Sequence, residues 1–110
     1  MSTSILLLKG TPASLGVVEG IVKIVNDPFH SNFNKGDILV TEMTNPRFIQ
    51  LMKKSGAIVT DIGGQLCHAA IIAREFMIPC IVGTENGTTI LKDGQKILVD
   101  ANEGKIYATE

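Results

Sequence analysis

A strand-rich mixed α/β fold, layered and carrying two or three short helices, is what this sequence predicts, and three features predict it. Short β-branched and apolar runs recur between clusters of glycine, proline and asparagine, the punctuation of strands and turns. Two segments, Asn45-Pro46 and the run opening at His68, carry helix-start signals. The chain has 110 residues, 45% hydrophobic and 19% charged, the size and balance of one ordinary globular domain. Residues 1–110 are therefore read as a single domain able to bury about two-thirds of its unfolded surface.

The elements follow in order. Ile5 to Leu8 is apolar, but no basic stretch or cleavage site accompanies it within Met1 to Leu8, so a signal peptide is rejected. Val17 to Val25 is β-branched and follows the turn Ser14-Leu15-Gly16; it reads as a strand stopped by Asn26-Asp27-Pro28. Lys35-Gly36-Asp37 is a turn and Ile38 to Thr41 a second strand. Asn45 is an N-cap and Pro46 a first helical residue. That helix carries Phe48, Ile49, Leu51 and Met52 and ends near Lys53-Lys54-Ser55-Gly56, with glycine as its stop. Ala57 to Thr60 is a short apolar strand running to Gly63-Gly64. His68 to Phe76 is a helix with almost no polar face, expected to be buried on most sides. Ile78 to Gly83 is a strand. Lys92 to Gln95 is a turn between Thr88–Leu91 and the strand Lys96 to Val99, and Asn102-Glu103-Gly104 makes a hairpin to Lys105–Ala108.

A formal net charge of −1 gives no pull towards nucleic acid or an anionic membrane. No apolar run approaches the ~20 residues of a membrane span. Two cysteines, Cys67 and Cys80, make no disulfide framework, and the cytoplasm is the expected location. No C-x-x-C or H-x-x-x-H pair is present, so no metal site is expected. Neither G-x-G-x-x-G nor a P-loop motif occurs.

The chemistry concentrates in Gly63-Gly64-Gln65-Leu66-Cys67-His68. Glycines let backbone approach a ligand closely, and a helix start offers N–H groups without partners. Gly63, Gly64 and the first-turn residue Ala69 are the expected anion cradle, beside a neutral imidazole competent as a nucleophile. A phosphoryl group carried on His68 is the sharp reading; a core histidine bonded to a neighbour is the bland one. Asp61 or Thr60 could orient the imidazole or equally cap a turn. Thr44 could support the site or merely belong to a helix cap. Cys67 is better read as a small buried thiol than as a nucleophile. Arg74 lies about 240° round the helix from His68, so it is expected to pair with a carboxylate or face a partner rather than hold phosphate.

These residues carry a resemblance. Gly63-Gly64 with Cys67-His68-Ala69-Ala70-Ile71-Ile72-Ala73-Arg74-Glu75, followed by Ile78-Pro79-Cys80-Ile81-Val82-Gly83-Thr84, resembles the phosphohistidine swivelling domain of phosphoenolpyruvate-utilising enzymes. The likeness spans residues 10 to 107. It includes Ser14-Leu15-Gly16 with Gly20, Val40 to Pro46, Leu91-Lys92-Asp93-Gly94, and Val99-Asp100 with Gly104. Cys67-His68-Ala69-Ala70-Ile71 resembles the phosphoenolpyruvate synthase branch more than the serine-containing ones.

The resemblance implies a β/β/α layered swivelling domain and a relay. A nucleotide-binding domain of ATP-grasp type phosphorylates His68, and a barrel domain passes the phosphoryl group reversibly to pyruvate. It implies that this domain binds no cofactor itself and that Mg²⁺ and ATP belong to the partner domains. Neither partner is encoded in these 110 residues, so the chain is expected to be either a piece of a larger enzyme or a free-standing carrier, unable to complete the reaction alone. A carrier serving another dikinase-type acceptor is the neighbouring reading. Leu66 stands where the family usually has a threonine, which a regulatory protein phosphorylates in the dikinases. That hydroxyl is missing here, the one feature favouring a non-catalytic interaction module.

Overall fold

The computed structural model describes residues 4–109. Its strands are β1 (Ile5–Lys9), β2 (Thr11–Ser14), β3 (Val17–Ile24), β4 (Ile38–Thr41), β5 (Ala57–Thr60), β6 (Cys80–Val82), β7 (Lys96–Asp100) and β8 (Lys105–Ala108). A 3-10 turn, Pro46–Phe48, leads into α1 (Ile49–Lys54); α2 is His68–Phe76 and α3 is Gly87–Ile90.

Hydrogen bonding runs through eight strands in the order β1-β8-β7-β3-β4-β5-β6-β2. β3 joins two halves. Its first part, Val17 to Ile21, pairs antiparallel with β7, and its last part, Val22 to Ile24, pairs parallel with β4. The parallel half continues through β4, β5 and β6.

Residue alternation explains the layers. In the parallel half, Ile38, Val40, Ala57, Val59 and Ile81 face a core shared with Ile97, Val99 and Ile106 of the antiparallel half. Their neighbours Leu39, Ile58, Cys80 and Val82 face a second core with Phe48, Leu51, Met52, Ala70 and Ala73 of the helices. The parallel strands are covered on both sides, so they read as unbroken apolar runs rather than alternating ones. The result is sheet on sheet on helix, the layering implied by the resemblance.

Several local expectations are corrected. β1 and β2 are strands the composition did not signal; residues 1–3 of the Met1 to Leu8 stretch lie outside the described residues. Thr88–Leu91 falls mostly in helix α3. The strand expected from Ile78 is formed only from Cys80 to Val82. Helix α1 stops at an extended Ser55, not at a glycine in the left-handed region. Gly56 instead permits a close approach: a Cβ there would sit 2.6 Å from the Gly36 carbonyl oxygen. Helix α2 is only half covered. Ala69, Ala70 and Ala73 face the core, while Ile71 is 45% exposed and Arg74 and Glu75 face outward. Among the described residues no helix is long and apolar enough to cross a membrane.

Candidate functional site

Helices α1 and α2 connect neighbouring parallel strands, so the segments leaving the C-terminal ends of β4 and β5 lie side by side. Such ends are where α/β sheets form ligand crevices. Here they enclose a cavity of about 140 Å³ lined by Met43, Thr44, Ile62, Gly63, Cys67, His68 and Ala69. None of these side chains is formally charged with histidine neutral.

His68 is the first residue of α2. Cys67 is its N-cap in extended conformation, yet no side chain caps the helix. The first-turn N–H groups of His68, Ala69 and Ala70 therefore have no intrahelical acceptor. Thr44 Oγ1 lies 2.8 Å from His68 Nδ1. Thr44 is buried, so the contact fixes the ring from one side. Asn45, not Thr44, caps the following turn by accepting from the Arg47 N–H.

Gly63 is demanded by geometry. Its φ is +136°, and a Cβ there would lie 2.8 Å from Cys67 Sγ. Gly64 is different: it carries no such backbone constraint, an added Cβ would meet nothing within 4 Å, and it does not line the cavity. Only one of the paired glycines is thus built into the site wall.

Asp61 and Thr60 do not touch the imidazole. Asp61 Oδ1 accepts from the Thr88 N–H at 2.9 Å and Oδ2 from the Thr88 hydroxyl at 2.5 Å, tying the start of α3 to β5. The Thr60 hydroxyl donates to the Ile62 carbonyl at 2.8 Å. Arg74 pairs with no carboxylate among the described residues. Its Nε donates to the Ala13 carbonyl at 2.8 Å, and its Nη2 donates to both Gln65 oxygens, backbone and side chain. Cys67 borders the cavity and packs on the helix-side core. Burial pushes the Cys80 thiol up to about 12, with Cys67 adding to the shift and Arg74 opposing it, so Cys80 is an inert core thiol.

Sequence reading missed Gln65, Met43 and Ile62. Gln65 is the only polar side chain between the glycines and His68, a signal that could have been weighed. Met43 and Ile62 carry none: they become site residues only because β4 and β5 are adjacent.

A layered α/β domain with a histidine at an uncapped helix start, its Nδ1 held by a hydroxyl, defines the class: a domain presenting one imidazole from a largely uncharged recess. Residues 33–104 match the mobile domain of PEP-utilising enzymes, and the chain belongs to that family. A probable phosphoenolpyruvate synthase from Staphylothermus marinus is 47% identical over 111 residues, covering 97% of this chain and 13% of the relative. The rifampicin phosphotransferase of Bacillus cereus is 44% identical over 97 residues, covering 88% of this chain and 11% of that protein. The solution structure of an Enzyme I protein superposes with a TM-score of 0.61 at 31% identity, covering 78% of this chain and 34% of that one. This chain thus spans a small part of longer phosphotransferases.

Proposed function

We propose that the chain is a phosphohistidine carrier, with His68 accepting a phosphoryl group from a nucleotide-binding domain of ATP-grasp type. It then delivers that group to pyruvate on a barrel domain, or runs the exchange in reverse from phosphoenolpyruvate. One observation carries the reading: Nδ1 of His68 is occupied by Thr44 at 2.8 Å while the ring borders an open recess. With Nδ1–H donating to the Thr44 hydroxyl oxygen, the lone pair is on Nε2. Nε2 attacks phosphorus, an N–P bond forms, and the P–O bond to the leaving group breaks. Positive charge arising on the ring is shared with Thr44 Oγ1. The N–H groups of the first α2 turn stabilise the phosphoryl oxygens.

No cationic side chain lines the recess, so most charge neutralisation falls to the partner sites, where Mg²⁺ and ATP would bind. The carrier contributes position rather than covalent chemistry of its own. Leu66, 85% exposed two residues before His68, offers no hydroxyl to a regulatory kinase. The imidazole is nevertheless held by Thr44, which supports transfer over a purely structural module.

The test pairs the chain with labelled phosphoenolpyruvate and a separate barrel domain, or with ATP and a separate nucleotide domain. An acid-labile, base-stable label that vanishes in His68→Ala is expected. No label under either pairing, with both partners active on a known carrier, would reject the proposal. The likeness to rifampicin phosphotransferase favours a second acceptor class, and transfer from labelled chain to rifampicin rather than pyruvate would select it.

A further inference from the structure

We infer that Arg74 and Gln65 form a brace that positions the loop before His68, making Arg74 a positioning residue rather than a phosphate ligand. This rests on the carrier reading only for its effect on transfer. Cys67 packs on the helix-side core and its N–H bonds to the Gly64 carbonyl, but the middle of the loop Gly63 to Cys67 has few other side-chain ties. Gly64 is open, Leu66 points into solvent, and among the described residues Gln65 alone in this stretch makes a side-chain hydrogen bond. Gln65 Nε2 donates to the Pro12 carbonyl at 2.7 Å. Gln65 Oε1 accepts from Arg74 Nη2 at 2.7 Å, and the same nitrogen donates to the Gln65 carbonyl. Arg74 Nε reaches the Ala13 carbonyl at 2.8 Å.

Four bonds thus join α2, the loop and strand β2 in one closed figure. Their anchor on β2 is a special place. The pairing of β2 with β6 slips in register between Pro12 and Ser14, and the carbonyls of Pro12 and Ala13 at that slip accept from Gln65 and Arg74. β2 also ends the strand order, leaving one edge without a strand neighbour among the described residues. Bulges at sheet edges commonly re-aim groups beside sites.

The planar guanidinium suits this task because it fixes several acceptors at set angles, which an ammonium cannot do. Holding Gln65 fixes the chain on both sides of it. Two residues upstream is Gly63, whose φ of +136° must be maintained beneath Cys67. Downstream is the N-terminus of α2, whose N–H groups must already point at the phosphoryl oxygens before transfer. Among the described residues Arg74 has no carboxylate partner, and its Nε and Nη2 are directed to neutral oxygens.

The test uses the 110-residue chain with Arg74→Ala, Arg74→Lys, Gln65→Ala and the Arg74→Ala/Gln65→Ala pair. Amide exchange by NMR at Cys67 and Ile71, whose N–H groups bond to the Gly64 and Cys67 carbonyls, reads the loop whatever His68 does. Labelling of His68 by phosphoramidate, a small P–N donor, reads the site without any partner domain. The brace predicts about tenfold faster exchange and about tenfold slower labelling in each single variant. The double variant should be no worse than either single one, and lysine should not rescue. Unchanged exchange in the variants would overturn the brace. So would labelling that is lost in Arg74→Ala, restored in Arg74→Lys and normal in Gln65→Ala, because charge alone would then matter. Loosened loops in variants of a parent chain that takes no label would uphold the brace and count against the carrier reading instead.

Discussion

The two histidines occupy opposite kinds of surroundings. His30 lines the larger cavity, about 510 Å³, beside Lys23, Asp27 and Asp93. Its Nδ1 sits 2.9 Å from Asp27 Oδ2, three residues away on the same loop, with the His30 side chain 82% exposed. His68 lines a cavity of about 140 Å³ with no charged side chain, and its partner Thr44 is 24 residues away on another segment. An exposed contact between near neighbours in sequence competes with water and holds little in place. A buried hydroxyl brought in by the segment after β4 costs long-range structure to position, and it gives the ring one defined orientation. On the carrier reading, neither cavity size nor charge density marks the proposed site. The mark is an imidazole oriented by tertiary structure and left with a free nitrogen.

The comparison breaks most sharply by exchanging the ring. His68→Gln should abolish acid-labile labelling, whereas His30→Gln should leave its rate within about twofold; the reverse pattern would transfer the function to the larger cavity. Next in size is the glycine pair. Gly63→Ala meets both a positive φ and the Cys67 sulfur, so urea unfolding should show a loss of about 1–3 kcal/mol. Gly64→Ala should stay within about 0.5 kcal/mol of the parent.

Thr44→Val removes the hydroxyl while keeping the shape. Labelling should slow roughly tenfold, the ~1.4 kcal/mol of one positioning hydrogen bond. The smallest effect belongs to the other histidine's partner. The Phe29 backbone N–H first, and then His30, hold the Asp27 carboxyl below its ordinary 3.8. A lowered carboxyl favours the folded chain above pH 3.8, and that contribution is lost as pH falls through the lower folded value. Asp27→Asn should therefore melt slightly below the parent from about pH 5 to 7 and converge with it at the acid end, flattening the acid limb of the stability curve, read by thermal melts from pH 2 to 7.

Much of the fold was legible in the residues. β3, β4, β5, β7, β8 and helix α2 stand within a residue or so of where apolar runs and turn signals placed them. β1 and β2 were not legible, because each is an edge-region strand that gains its backbone partner only from a strand distant in sequence, β8 and β6. Helix α2 was over-read as buried all round. Composition cannot distinguish an apolar face turned to the core from one that leaves Ile71 in water.

His68 itself was legible, since a histidine behind glycines at a helix start is a local pattern. Its supports were not. Asp61 and Thr60 were as plausible as Thr44 by position, and only the adjacency of β4 and β5 decided that Thr44 reaches the ring while Asp61 turns to α3. Arg74 could be placed on the far side of the helix by periodicity. That β2 carries the carbonyls it seeks depended on pairing between residues more than sixty positions apart. By itself, then, the sequence determined the local elements, the layer-forming apolar runs and the ring proposed to react, because those follow from neighbours along the chain. The tertiary structure alone decided which hydroxyl orients that ring, which glycine is indispensable and what holds the loop. Those are contacts between separate segments, and only strand pairing brings the segments together.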